Sequence, residues 1–92
     1  MIQSFKHKGL EKFYTTGSKA GIQPAHAAKL GRLLSALTAA KHAGNMDVAG
    51  WGFHPLQGPL SGHFAVQVNS NWRLTFRFIG TDAEVVDYQD YH

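Results

Sequence analysis

The 92-residue chain contains no cysteine. A disulfide framework and a thiolate metal site are both excluded, which suits a reducing compartment. No apolar run approaches the roughly eighteen residues that a membrane helix needs. The one apolar start is broken by Phe5-Lys6-His7-Lys8-Gly9, so no secretory signal is expected. The expected setting is the cytoplasm, away from membranes. Acidic residues are scarce, six against nine Lys and Arg, and unevenly placed. Residues 1–46 hold seven Lys or Arg and one Glu, whereas residues 47–92 hold two Arg and five Asp or Glu. A basic half suits a polyanion or an acidic protein surface, although ordinary solubility accounts for it equally well. No phosphate loop or dinucleotide fingerprint occurs. Ser61, in Gly58-Pro59-Leu60-Ser61-Gly62, lacks the Gly-x-Ser-x-Gly setting of a nucleophile elbow.

What is present reads as one domain over residues 1–92. A chain this short buries only about 60% of its unfolded surface, so its core must be efficient. Ile2-Gln3-Ser4-Phe5-Lys6 alternates as a short strand. Leu10, Phe13 and Tyr14 share one face of a short helix that ends near Gly17. Pro24 opens a second helix over about 24–42, whose stripe of Ala27, Leu30, Leu33, Leu34 and Leu37 belongs to the core. Short strands are expected at 51–55 and 63–69, then 72–78 and 83–89, with turns at Asn69-Ser70-Asn71 and Gly80-Thr81-Asp82. The strand 72–78 organises the rest. Trp72, Leu74, Phe76 and Phe78 alternate with Arg73, Thr75 and Arg77, one face for a core and one for water or a ligand. The order β-α-α-β-β-β-β predicts an α+β fold, with two helices packed on one face of a small, mostly antiparallel sheet. His63, Gln67, Arg73, Thr75 and Arg77 are expected on the open face, in solvent.

Arg73, His54 at a strand end, and the terminal Asp90, Tyr91 and His92 form the constellation that could carry chemistry. Cleavage of RNA by its own 2′-OH needs a base, an acid for the leaving 5′-oxygen, and a cation for the phosphoryl charge. His or Asp can be the base, His or Tyr the acid, and Arg the cation, with no metal or other cofactor. Tyr91 could alternatively stack on a base. A zinc site of His54, His63 and His92 has the right donors, but no local spacing enforces it.

Three segments carry a family resemblance. Phe53-His54-Pro55-Leu56-x-Gly58, Asn71-Trp72-Arg73-Leu74-Thr75-Phe76 and Val86-Asp87-Tyr88-x-Asp90-Tyr91-His92 resemble the HigB toxins, a branch of the RelE-like fold. The start, with Ile2-x-Ser4-Phe5, Lys8-Gly9-Leu10 and Thr16-Gly17, is similar too. The resemblance implies a ribosome-dependent mRNA endonuclease, the toxin of a type II toxin–antitoxin pair, which cuts mRNA in the ribosomal A site. It implies a HigA-like helix-turn-helix antitoxin as partner, with operator DNA bound only through the antitoxin complex. It also places His54, Arg73, Asp90, Tyr91 and His92 in the active centre. Gln57 stands where many members carry a lysine that helps to bind the scissile phosphate, and Gln67 where many carry Arg or another polar residue. A lost charge-assisted contact costs about 1–3 kcal/mol, or roughly tenfold to a hundredfold in rate. His63 or Arg77 could compensate, and Gln57, His63 and Arg77 are expected RNA contacts. Lys29 and Arg32, with Lys41, could grip ribosomal RNA, meet an acidic antitoxin, or simply be solvated. The competing expectations are a non-cleaving module that occupies the ribosome or a partner, which Gln57 favours, and a DNA-binding accessory of a repressor complex.

Overall fold

The computed structural model describes residues 1–90. Helix α1 spans Lys8–Thr16. His7 caps its start, accepting the Leu10 N–H at Nδ1, and Gly17 ends it with φ 81° while donating its N–H to Phe13 O. That left-handed cap favours glycine, which has no Cβ to clash. A 3₁₀ turn, Pro24–His26, leads into α2, Ala27–Ala39. The helix is shorter than the 24–42 expected. Ala40 leaves it with ψ 144°, and Asn45 Oδ1 accepts the N–H groups of Lys41 and His42, an alternative to continued helical bonding.

Four strands follow: β1 (His54–Pro55), β2 (Phe64–Gln67), β3 (Trp72–Ile79) and β4 (Asp82–Asp90). Each is antiparallel to the next, in the order β1-β2-β3-β4. The strand expected at 51–55 is reduced to its last two residues, because Gly52 turns the chain at φ 60°. The expected first strand is an extended segment running parallel to β4. It bridges at Ile2–Ala83 and Phe5–Val86, with the Gln3 and Lys6 N–H groups bonded to Ala83 O and Val86 O.

The core lies between the helices and one sheet face. Leu30, Leu33, Leu34 and Leu37 of α2 meet Val66, Leu74, Phe76 and Val86, and all are at most 2% exposed. Each buried leucine contributes about 1.5–3 kcal/mol. Among the described residues no helix is long and apolar enough to cross a membrane.

Two findings alter the expected sheet. Its second face is not simply open to solvent, since Ala65 and Thr75 are 0% and 2% exposed. They pair with one another across β2 and β3, short side chains in a row flanked by longer ones. β4 is also interrupted by a bulge. Arg77 opposes Glu84, but Thr75 opposes Asp87, so one extra residue is inserted between them. Val85 marks the place, with φ 48° and its N–H held by Ser4 Oγ at 2.9 Å. A one-residue slip reverses which face each later side chain occupies. It sends Val86 and Tyr88 into the core, and Asp87 and Gln89 to the face of Arg73.

Candidate active site

The β2–β3 hairpin presents Arg73. Its turn is tied by Asn69, whose Oδ1 accepts the N–H groups of Asn71 and Trp72, both at 2.8 Å. The Asn69 amide then donates from Nδ2 to His26 Nε2 at 2.7 Å. That leaves the ring proton on Nδ1, which donates to Tyr88 Oη at 2.5 Å. The same oxygen accepts the Gln23 N–H at 3.3 Å. Trp72 stacks on Tyr88 with ring centroids 4.5 Å apart. The residue before Arg73 is therefore fixed to the helical layer, and Arg73 emerges on the opposite face of the sheet.

There Arg73 stands in a row with Gln67 and Gln89. Its Nη2 donates to Gln89 Oε1 at 3.3 Å. Gln89 Nε2 in turn donates to Asp87 Oδ2 at 2.7 Å, and Asp87 Oδ1 accepts the Tyr88 N–H. The neighbouring row is His54, Ala65, Thr75 and Asp87. Sheet spacings put the His54 and Arg73 α-carbons about 12 Å apart, a gap that a phosphate could fill between the two side chains. His54 Nδ1 donates to Gly52 O at 2.8 Å, which leaves Nε2 as a lone-pair acceptor facing outward from that bond. Gly52 also brings the backbone against Gln67. A Cβ at Gly52 would stand 3.0 Å from Gln67 Cδ, on a backbone with φ 60°.

The other expected site residues are distributed more widely. Asp90 opposes Trp72, so it lies on the Trp72 and Tyr88 side of the sheet, not the Arg73 side. Tyr91 and His92 lie outside the described residues. Gln57 is exposed and precedes the 3₁₀ turn Gly58–Leu60, in the loop after β1. His63 is half-buried near the start of β2, and its Nδ1 has no hydrogen-bond partner among the described residues. Arg77 is paired with Glu84, Nε to Oε2, at 2.5 Å. Lys29 and Arg32 belong to α2, across the sheet from Arg73, and the Lys29 ammonium lies 5.3 Å from the Trp51 ring centroid. Among the described residues no three His, Cys, Asp or Glu side chains cluster as metal ligands. The His54–His63–His92 combination includes His92, which is not described.

Asp87 and Gln89 are the neighbours of Arg73 and His54 that the sequence reading did not place on this face, whereas Thr75 is expected there. The signal was present. Ala83, Val86 and Tyr88 are apolar at spacings of three and then two, the mark of one extra residue in an otherwise alternating strand. Burial pushes the Tyr88 phenol above its ordinary value of 10.0; the Gln23 N–H works against this, and the Asp90 charge adds to it.

The model of the HigB-like toxins, described as RelE-like toxins of the type II toxin–antitoxin system HigB, matches residues 3–92. The chain belongs to that family. An antitoxin is accordingly the partner of this toxin. A relative from Proteus vulgaris, named Endoribonuclease HigB, is 37% identical over 92 residues, spanning 100% of both chains. Among solved structures, a mutant of YafQ from E. coli aligns with a TM-score of 0.65 at 17% identity, covering 98% of this toxin and 91% of that chain. YafQ from E. coli strain BL21(DE3) aligns with a TM-score of 0.57 at 16% identity and the same coverage. These two likenesses concern the fold, a small antiparallel sheet with helices on one face.

Proposed function

We propose that this toxin is a metal-independent endoribonuclease that halts translation by cutting mRNA in the ribosomal A site. The single observation that carries the reading is Arg73, a permanent cation oriented by the Gln89 amide on the sheet face shared with His54. The name of the Proteus vulgaris relative supports the same class of chemistry. In the proposed reaction the His54 Nε2 lone pair takes the proton of the ribose 2′-OH, which attacks the adjacent phosphorus. Arg73 stabilises the negative charge that builds on the phosphoryl oxygens. The bond to the 5′-oxygen breaks, and Tyr91 or His92, the last two residues of the expected terminal group, supplies its proton, whereas Asp90 lies on the Trp72 side of the sheet. The products are a 2′,3′-cyclic phosphate and a free 5′-hydroxyl. Gln57, His63 and Arg77 contribute RNA contacts, and the basic face of α2, with Lys29 and Arg32, meets ribosomal RNA. The antitoxin is HigA-like, with a helix-turn-helix fold, operator DNA is bound through the complex, and the toxin acts in the cytoplasm.

The test is induction without antitoxin, followed by mapping of new 5′ ends in translated messages. Arg73→Ala is expected to cut about tenfold to a hundredfold more slowly, the loss of a charge-assisted contact, and Gln57→Lys to cut faster. Unchanged cutting by Arg73→Ala refutes the role of Arg73. The neutral Gln57 favours a second reading, a module that occupies the ribosome without cutting, for which translation would slow while messages stay intact.

A further inference from the structure

We propose that Gln89, itself anchored by Asp87, is a positioning residue of Arg73. The proposal rests on the reading of Arg73 as the cation that meets the scissile phosphate. The geometry is a relay on one face of the sheet. Asp87 Oδ2 accepts from Gln89 Nε2 at 2.7 Å, and Gln89 Oε1 accepts from Arg73 Nη2 at 3.3 Å. Because Asp87 can only accept, it sets the orientation of the Gln89 amide. The amide nitrogen must turn to the carboxylate and the oxygen to the guanidinium. Asp87 is held in turn by the Tyr88 backbone N–H at 2.9 Å, on a strand whose other face is core.

A long arginine side chain loses rotamer freedom when it binds a planar anion, and a prior hydrogen bond removes part of that loss. The neutrality of residue 89 also matters. A carboxylate here would orient the guanidinium equally well, but it would compete with the phosphate for its charge. The amide orients Arg73 without cancelling that charge, and the carboxylate of Asp87 stands one side chain further back. The Val85 bulge places both residues on this face, since Arg73 pairs with Gln89 only through the slipped register.

Two readouts on the full toxin test the relay. Guanidinium NMR, with the Arg73 signal identified by loss in Arg73→Lys, reports rotation about the Nη groups. Message-cutting rate on purified ribosomes reports function. Gln89→Leu is expected to free the rotation and to slow cutting about tenfold, with the melting temperature little changed. Gln89→Glu is expected to keep the rotation slow and still to cut more slowly, through weaker capture of the message. A protein in which residue 89 was only a packing element would not divide the two variants in this way. Should Gln89→Leu not fold, Asp87→Ala serves instead and is expected to free the rotation in the same sense. Unaltered Arg73 rotation in Gln89→Leu or its substitute overturns the proposal, whatever the cutting rate. Freed rotation in a toxin whose wild type leaves messages intact upholds the positioning and refutes the endonuclease reading.

Discussion

Val85 is the one non-glycine residue with positive φ among those described, at 48°. A β-branched side chain there is crowded by its own backbone, a strain of about 1–3 kcal/mol. The strain sits where the register of β4 changes, beside residues that point to opposite layers. Val86 is fully buried and Val85 only partly. The same substitution at the two adjacent positions should therefore behave differently. Val85→Gly gives up some packing and adds unfolded-state entropy, but it relieves the strain. Its stability is expected within about 1 kcal/mol of wild type. Val86→Gly removes a core side chain with no such relief and should lose at least about 2 kcal/mol. Denaturant titration measures both. Equal losses at the two sites would show that Val85 carries no strain.

At the scale of elements, two glycines in helices predict opposite effects of one substitution. Gly31 lies inside α2, on a groove of about 440 Å³ lined also by Phe13, Tyr14 and Leu34. A Cβ there would meet nothing within 4 Å. Gly31→Ala should therefore gain helix propensity at no packing cost, about 1 kcal/mol or roughly 4–8 °C in Tm. Gly9, in the first turn of α1, is pressed against the backbone at Gly21. A Cβ on Gly9 would stand 2.8 Å from Gly21 Cα, and one on Gly21 would stand 2.5 Å from Gly9 Cα. Gly9→Ala should lower Tm even though alanine is the better helix former. A thermal melt of each variant checks the pair, and a rise for both would show that the Gly9–Gly21 contact yields easily. Such contacts are not legible in a chain met as a string. Periodicity located α2 through Leu30, Leu33, Leu34 and Leu37, and β3 through Trp72, Leu74 and Phe76, because each repeats within its own element. The bulge, the pairing of Gln89 with Arg73, and the Trp72 side of Asp90 depend on how β4 meets β3. Strict alternation carries no such information unless the spacing of Ala83, Val86 and Tyr88 is read as an interruption. The early end of α2 was hidden for a related reason, since it depends on the Asn45 side chain reaching back to Lys41 and His42.

For the whole molecule, the two faces of the sheet have divided tasks, and on the core face Tyr88 joins the helical layer to the strands. Its ring lies in the core against Trp72, the residue next to Arg73, and its hydroxyl oxygen accepts hydrogen bonds from His26 Nδ1–H and from the Gln23 backbone N–H. Helical layer, hairpin turn and β4 thus converge on one phenol. Burial raises its ionisation above 10.0, with the Gln23 N–H opposing and Asp90 reinforcing the shift. A raised value means that the folded protein favours the neutral phenol more than the unfolded chain does. The stabilisation is complete below the unfolded value, about 10. It is lost as pH rises through the higher folded value, because the unfolded state releases its proton first. Folding stability should therefore decline on the alkaline side, measured as a falling denaturation midpoint from about pH 9 upward. Tyr88→Phe separates this from the other alkaline titrations. It should be less stable at neutral pH by about 1–3 kcal/mol, since the His26 and Gln23 donors lose a buried acceptor, but its stability should fall less steeply with alkali. An equally steep decline in Tyr88→Phe would assign the alkaline loss to other groups.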